Sequence, residues 1–367
     1  MNAGGRTEIP DGRVAVAMSG GVDSSVAAAL LVEQGYDVVG VHMKLADVPD
    51  DMRHGKSCCS LDDSLDARQV CAELGIPYYV FDFREEFRRE VVDYFIAGYR
   101  AGLTPNPCAM CNLRIKNSAL LDRIREIGCD YLATGHYARI RENPVTGSHE
   151  MVRPRDLRKD QTYFLFGTPR EELPALLFPL AEFVKDEARA LAAKLGFVTW
   201  DKPDSQEICF VPSDYRDFLR PHLGDMPEGD FVDRAGNVLG RHRGVALYTV
   251  GQRRGLGIGG ARPYYVVAID REANRVLLGE ESDLYSSRVK VGSVNWVSRP
   301  PPERPLDAVV KIRYADAGTP ARVSTSGGTT AEVIFSRPVK AVTPGQAAVF
   351  YDGDVLLGGG WIEAGEP

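Results

Sequence analysis

Short apolar runs and stretches of helical spacing alternate over the first third of the chain. The runs 13–18, 37–43, 77–83 and 130–134 have strand length and strand composition, and 24–34, 61–74, 85–100 and 112–127 lie between them with helical periodicity. Such alternation implies βαβ units, hence a parallel sheet covered by helices on both faces. A further helix is expected over 184–195, and the Asp-Lys-Pro-Asp-Ser segment 201–205 reads as a boundary loop. Beyond it the helical period fades and turn signals such as 233–237 separate short alternating runs. From 289 onward the runs 289–296, 308–314, 321–325, 331–335, 347–351 and 355–357 predict a small β-barrel. The expected fold is an α/β N-terminal domain followed by two smaller mainly-β parts, divided at 1–205, 206–284 and 285–367.

Length and composition narrow the class. A chain of 367 residues, 44% hydrophobic and 26% charged, can bury two or three cores without disulfide staples. The apolar run at 27–32 is far too short to span a membrane, and residues 1–12 hold no apolar signal core, so a cytoplasmic protein without a membrane partner is expected. Seven irregularly spaced cysteines then read as reduced thiols. The net charge of −7 excludes coating of nucleic acid by bulk electrostatics but leaves room for local basic patches.

The first chemical signal is Ala17-Met18-Ser19-Gly20-Gly21-Val22-Asp23-Ser24-Ser25. It lies on a predicted strand-to-helix turn, where N–H groups are freed at a helix N-terminus and the two glycines remove side chains that would keep a phosphate away. No Walker string occurs. The stretch resembles instead the pyrophosphate loop of enzymes that cut ATP between the α and β phosphates. In a parallel sheet ligands bind at the carboxyl ends of strands, which places this loop, Met43, Gly135 and His136 along one edge.

The second signal is Thr104-Pro105-Asn106-Pro107-Cys108-Ala109-Met110-Cys111-Asn112. Two prolines stiffen the loop, and a helix beginning near Asn112 would favour the thiolate of Cys111. The third is Lys202 to Phe210 with Cys209, 98 residues after Cys111. Cys71 and Cys129 read as packed apolar residues, and Cys58 and Cys59 as non-catalytic thiols of a polar loop.

These stretches, with His42-Met43-Lys44, Ala133-Thr134-Gly135-His136-Tyr137, Lys159-Asp160-Gln161-Thr162-Tyr163-Phe164-Leu165, Thr249-Val250-Gly251-Gln252-Arg253-Arg254-Gly255-Leu256 and Pro344-Gly345-Gln346, form an ordered series. The series resembles the tRNA-specific 2-thiouridylase family over residues 13–361. That resemblance implies an adenine nucleotide α-hydrolase-like fold and ATP-dependent 2-thiolation of the wobble uridine of tRNAs of the Lys, Glu and Gln type. It implies that the C2 oxygen is adenylated, that Cys209 carries a persulfide filled by a cysteine desulfurase or thiol relay, and that Cys111 resolves it. It further implies that Ala17, Met18, Ser19, Gly20, Gly21, Val22, Asp23, Ser24, Met43 and Gly135 hold ATP, with Mg2+ on Asp23, whose residue-level alternative is a helix N-cap. Asn106, Pro107 and Cys108 would line the target base, and His136, Lys159, Asp160, Gln161, Arg313, Tyr314 and Gln346 would contact the tRNA.

Cys108 departs from family members that carry Asp at its position. It leaves three readings open: an acid-base substitute, a redox partner of Cys111, or with Cys111 and Cys209 a ligand of a [4Fe-4S] cluster; zinc is a lesser alternative. The cations Arg153, Arg155, Arg158 and Lys159, and Arg241, Arg243, Arg253 and Arg254 around His242, are candidate phosphate contacts. Two other function classes remain: a pyrophosphate-loop ligase or amidotransferase acting on a small acid, and a non-catalytic RNA-binding module. Neither requires the thiols, and a monomer is expected.

Overall fold

The structure is a computed structural model and describes residues 12–46, 61–203, 208–211, 214–224, 226–259 and 262–366; Cys58 and Cys59 lie outside them. The chain divides into two compact units, one of Met1–Arg88, Arg114–Thr162 and Glu171–Pro212, the other of Arg89–Leu113, Tyr163–Arg170 and Ser213–Pro367.

The first unit is built on a parallel sheet. Its strands β1 (Arg13–Ala17), β2 (Asp37–Lys44), β3 (Tyr78–Asp82) and β4 (Tyr131–Ala133) are followed by a hairpin, β5 (Arg139–Glu142) with β6 (His149–Val152), and by the two-residue β7 (Leu176–Leu177). The order β3-β2-β1-β4-β7 is parallel throughout and puts β1 at the centre, which is why Val14, Ala15 and Val16 are wholly buried. The helix Val22–Glu33 is nearly apolar all round because it is packed into this core with Val26, Ala27, Leu30 and Leu31. Cys71 packs against the bare backbone of Gly40, 0% exposed, and burial pushes its thiol up to about 12, as expected of a small apolar residue. Cys129 is buried too.

The second unit holds two β structures. In one, β8 (Gly229–Val232) pairs with β9 (Val238–His242) and, in parallel, with the hairpin of β10 (Tyr265–Asp270) and β11 (Arg275–Gly279) around Phe231, Val266, Val276 and Leu278. In the other, β12 (Tyr285–Trp296), β13 (Leu306–Lys311), β14 (Thr319–Ser326), β15 (Thr330–Lys340), β16 (Ala347–Asp352) and β17 (Val355–Glu366) run antiparallel. Their order is β12-β15-β14-β13-β16-β17, and β12 pairs with β17 to close a six-stranded barrel. Alternation fixes its inside: Ala321 and Val323 of β14 face the core while Pro320 and Arg322 are exposed. Closure leaves no free edge among these six strands.

Candidate active site

β1 ends at Ala17 and the helix opens at Val22, so the chain must turn sharply between them. Gly20 adopts φ +73°, and a Cβ there would collide with the backbone of Asp63. Ser24 Oγ accepts the Ser19 N–H at 3.2 Å, and the Ser24 and Ser25 hydroxyls donate to the Gly21 carbonyl at 3.2 and 2.9 Å. Thr199 donates to Ser25 at 3.1 Å. The serines thus hold the loop from within and leave the first-turn N–H groups, which have no intrahelical acceptors, for a ligand.

The helix N-cap is Gly21, which removes the capping alternative for Asp23. Asp23 instead receives Lys185 Nζ on both oxygens at 2.8 Å and the Tyr137 hydroxyl at 3.1 Å. Lys202 Nζ donates to the Gly20 carbonyl at 2.9 Å and to Asp63 at 2.8 Å, and pairs with Asp66. Burial opposes its charge, but the bonds to the two aspartates outweigh burial and raise its pKa. Two ammonium groups therefore stand at a loop that has no lysine of its own. Sequence reasoning missed both: Lys202 heads the stretch noticed only for Cys209, and Lys185 carries no local signal.

Gly135 follows β4, and a Cβ there would lie 2.8 Å from the Asp23 carbonyl carbon and the Ser24 nitrogen. Its missing side chain admits the loop itself. Met43 is half-buried near the end of β2, and the neighbouring His42 bonds the Met18 carbonyl at 2.9 Å. His136 Nδ1 lies 2.7 Å from Thr134 Oγ1; desolvation, then Lys116, hold its imidazole well below the usual range and therefore neutral at pH 7. Gln161 accepts the Tyr137 N–H at 2.8 Å, bracing the residue that braces Asp23. Asp160 is 5% exposed, bonded to Thr162 through N–H and hydroxyl and paired with Arg153 at 3.3 Å, so its carboxylate faces inward in this conformation. Arg155 meets Glu187 at 3.1 Å and Arg158 meets Asp156 at 3.2 Å. The cationic run 153–158 is thus engaged by carboxylates of its own unit. Lys159 closes the short helical turn Leu157–Lys159.

In the second unit the thiol loop opens a helix earlier than its periodicity suggests. Asn106 caps it by accepting the Ala109 N–H at 3.1 Å, Pro107 fills the first position, and the helical chain runs through Pro107–Cys111 into the wider π-helical turns of Asn112–Leu120. Cys108, not Cys111, therefore sits in the first turn, where the helix field is felt. Cys108 is exposed and Cys111 is 9% exposed. The loop is held from several sides. The Thr104 N–H donates to the Pro344 carbonyl at 2.9 Å, and Gln346 Nε2 donates to the Thr104 carbonyl at 2.9 Å. Thr104 and Thr249 hydroxyls lie 3.4 Å apart, and Pro105 packs on Gly98, where a Cβ would come within 2.9 Å of it. Gln346 thus helps position the thiol loop.

Asn112 Nδ2 donates to the Phe164 carbonyl at 3.1 Å, which fixes its amide and leaves its buried Oδ1 without a hydrogen bond. Phe164 packs on Tyr314 at 4.7 Å, and Tyr163, fully buried, donates to the Ala347 carbonyl at 3.1 Å. Arg313 donates to the Lys340 carbonyl at 3.3 Å. Arg241 is paired with Asp230 at 3.0 Å, whereas Arg243, Arg253 and Arg254 are exposed. Cys209 belongs to the first unit and is half-buried beside Phe210, whose ring meets Phe87 edge-on at 5.7 Å. Among the described residues, which include all three thiols of interest, no group of three or more His, Cys, Asp or Glu could hold a metal ion.

Residues 12–213 match the family model described as the tRNA methyl transferase HUP domain, 216–280 its PRC-barrel domain, and 286–362 the aminomethyltransferase beta-barrel domain. Proteins named tRNA-specific 2-thiouridylase MnmA align almost end to end. The Carboxydothermus hydrogenoformans protein is 50% identical, covering 96% of this chain and 97% of its own, and the Roseiflexus sp. (strain RS-1) protein 48%, covering 95% and 99%. The Clostridioides difficile protein is 45% identical, with coverage of 96% and 98%. With identity at this level over both full lengths, the chain belongs to the tRNA-specific 2-thiouridylase (MnmA) family.

Proposed function

We propose that this protein catalyses ATP-dependent 2-thiolation of the wobble uridine of tRNA. Supporting this reading above all is a glycine loop ringed by Lys185 and Lys202, in a chain that also carries a braced cysteine loop. The pyrophosphate leaving group sits on the first-turn N–H groups of Val22–Glu33, with the two ammonium groups offsetting its charge. Asp23 would hold Mg2+, a hard cation that prefers carboxylate and phosphate oxygen, by giving up part of its pairing with Lys185. The uridine O2 attacks the α phosphate, and the α–β bond breaks. The terminal sulfur of a Cys209 persulfide then attacks C2, and AMP departs with the oxygen. The Cys111 thiolate attacks Cys209 Sγ, releasing the thiocarbonyl and leaving a Cys111–Cys209 disulfide. The sulfur enters from a desulfurase or relay protein, and the flipped base is taken from a single-stranded loop, where its edge is reachable. Among tRNAs, those of the Lys, Glu and Gln type are the expected substrates, acted on in the cytoplasm by a monomer.

The test is thiolation of unmodified tRNA with ATP and a persulfide donor. Cys209→Ala is expected to bind ATP normally and to transfer no sulfur; wild-type thiolation by that variant would refute the persulfide assignment. Release of AMP should depend on tRNA. A small-acid ligase would release it without tRNA, and a binding module would release none.

A further inference from the structure

We infer that Cys108 is a second resolving thiol, which takes the oxidation off Cys111 and presents it at the surface. This inference rests on the proposed sulfur transfer, which leaves Cys111 in a disulfide once per turnover. Cys111 is 9% exposed, its loop is fixed by Gln346, Pro344 and Asn106, and an external reductant has poor access to its sulfur. Cys108 lies three residues earlier on the same helical turn and is exposed. Residues at that spacing have Cβ atoms about 5–6 Å apart on a regular helix, and a disulfide needs about 3.5–4.5 Å, so a small adjustment of the first turn closes the gap. The cap supplied by Asn106 and Pro107 uses side-chain and ring atoms rather than sulfur, so the turn stays anchored while the thiols change state.

The step balances as an exchange. The Cys108 thiolate attacks the Cys111 sulfur of the Cys111–Cys209 disulfide, the Cys108–Cys111 bond forms, and Cys209 leaves as a thiolate ready for the next sulfur. Two electrons and two protons from an external dithiol reductant of the thioredoxin type then restore Cys108 and Cys111.

Two measurements decide the matter. In Cys209→Ser, equilibration in a glutathione redox buffer followed by non-reducing peptide mapping should show a Cys108–Cys111 disulfide; its absence across the buffer range overturns the inference whatever the fate of the sulfur-transfer reading. In Cys108→Ser, and in Cys108→Ala as a second variant, enzyme preloaded with persulfide should stop after one turnover with Cys111 and Cys209 joined. Steady-state thiolation with a dithiol reductant should then fall at least tenfold while the Cys111–Cys209 disulfide accumulates. Steady-state rates equal to wild type would overturn the role of Cys108. Undiminished thiolation by Cys209→Ser would instead refute the parent reading and, with it, the need for a relay.

Discussion

At the scale of single residues, the nucleotide loop is governed by charges supplied from far along the chain. Lys185 is 7% exposed and shares both oxygens of Asp23, so removing it leaves a partly buried carboxylate with only the Tyr137 hydroxyl as partner. Lys185→Met is expected to lower tRNA-dependent AMP formation by about a hundredfold or more, the scale of losing one fixed donor at a developing charge. Radiolabelled pyrophosphate release, which accompanies adenylation, compared with AMP release, which accompanies sulfur attack, checks this and separates the two steps. Histidines report a second effect. His242 is 1% exposed; its Nδ1 accepts the Gly244 N–H at 3.1 Å and its Nε2 faces the Asn274 carbonyl at 3.2 Å. Burial holds its pKa below the ordinary value, so the unfolded chain binds a proton that the folded one refuses. Stability is therefore full above pH about 6.5 and is lost as the pH falls below it. Denaturant midpoints measured from pH 7.5 to 5.5 should fall in the wild type and fall less in His242→Gln.

Elements show which parts of the architecture the sequence makes legible. The four strands β1 to β4 and the six barrel strands are visible because each carries an apolar run or a strict alternation of adequate length. β7 is invisible, since two leucines have no period to read. The hairpin of β5 and β6 is hidden by its arginines and glutamates, which satisfy a strand's outer face without marking an inner one. The helix start at Pro107 was available in principle: Asn followed by Pro is a cap and first-position pair, yet two prolines in four residues suggest only a loop. Long-range pairings such as Lys185 with Asp23 leave no trace in spacing, because only the fold decides them. Gly135 illustrates the tolerance at such junctions. Its neighbours are backbone atoms at 2.8 Å, which cannot swing aside as a side-chain end would. Gly135→Ala is expected to cost about 1–3 kcal/mol and to weaken ATP binding at least tenfold, measured by thermal unfolding and by equilibrium titration.

On the scale of the whole molecule, an acidic chain of net charge −7 must bind tRNA through local positive surface. The structure separates two kinds of arginine. Arg155 and Arg158 are answered by Glu187 and Asp156, while Arg243 and Arg254 are exposed near β9 and in the loop after it. Affinity for tRNA should fall steeply with salt, and the double variant Arg243→Ala/Arg254→Ala should reduce the slope of log K against log salt by about two. Arg155→Ala should leave that slope unchanged. Filter binding across a salt series gives both slopes, and a slope indifferent to Arg243 and Arg254 would place the phosphate track elsewhere.

The composition of the second unit also orders events during synthesis. Cys108 and Cys111 lie in a segment whose anchors come late: Tyr94 packs on Trp361 at 5.9 Å, Phe166 on Trp361 at 5.1 Å, and Gln346 grips Thr104. On the ribosome the thiol loop emerges about 250 residues before Trp361, an interval of roughly 10–50 s at ordinary elongation rates. Throughout that time the loop lacks the strands that immobilise it, so its cysteines remain unschooled thiols rather than a reactive pair. A nascent chain or a product of premature termination therefore carries a thiol loop without its anchors. The thiol loop is thus fully anchored only when β17, the last strand of the barrel, has been made.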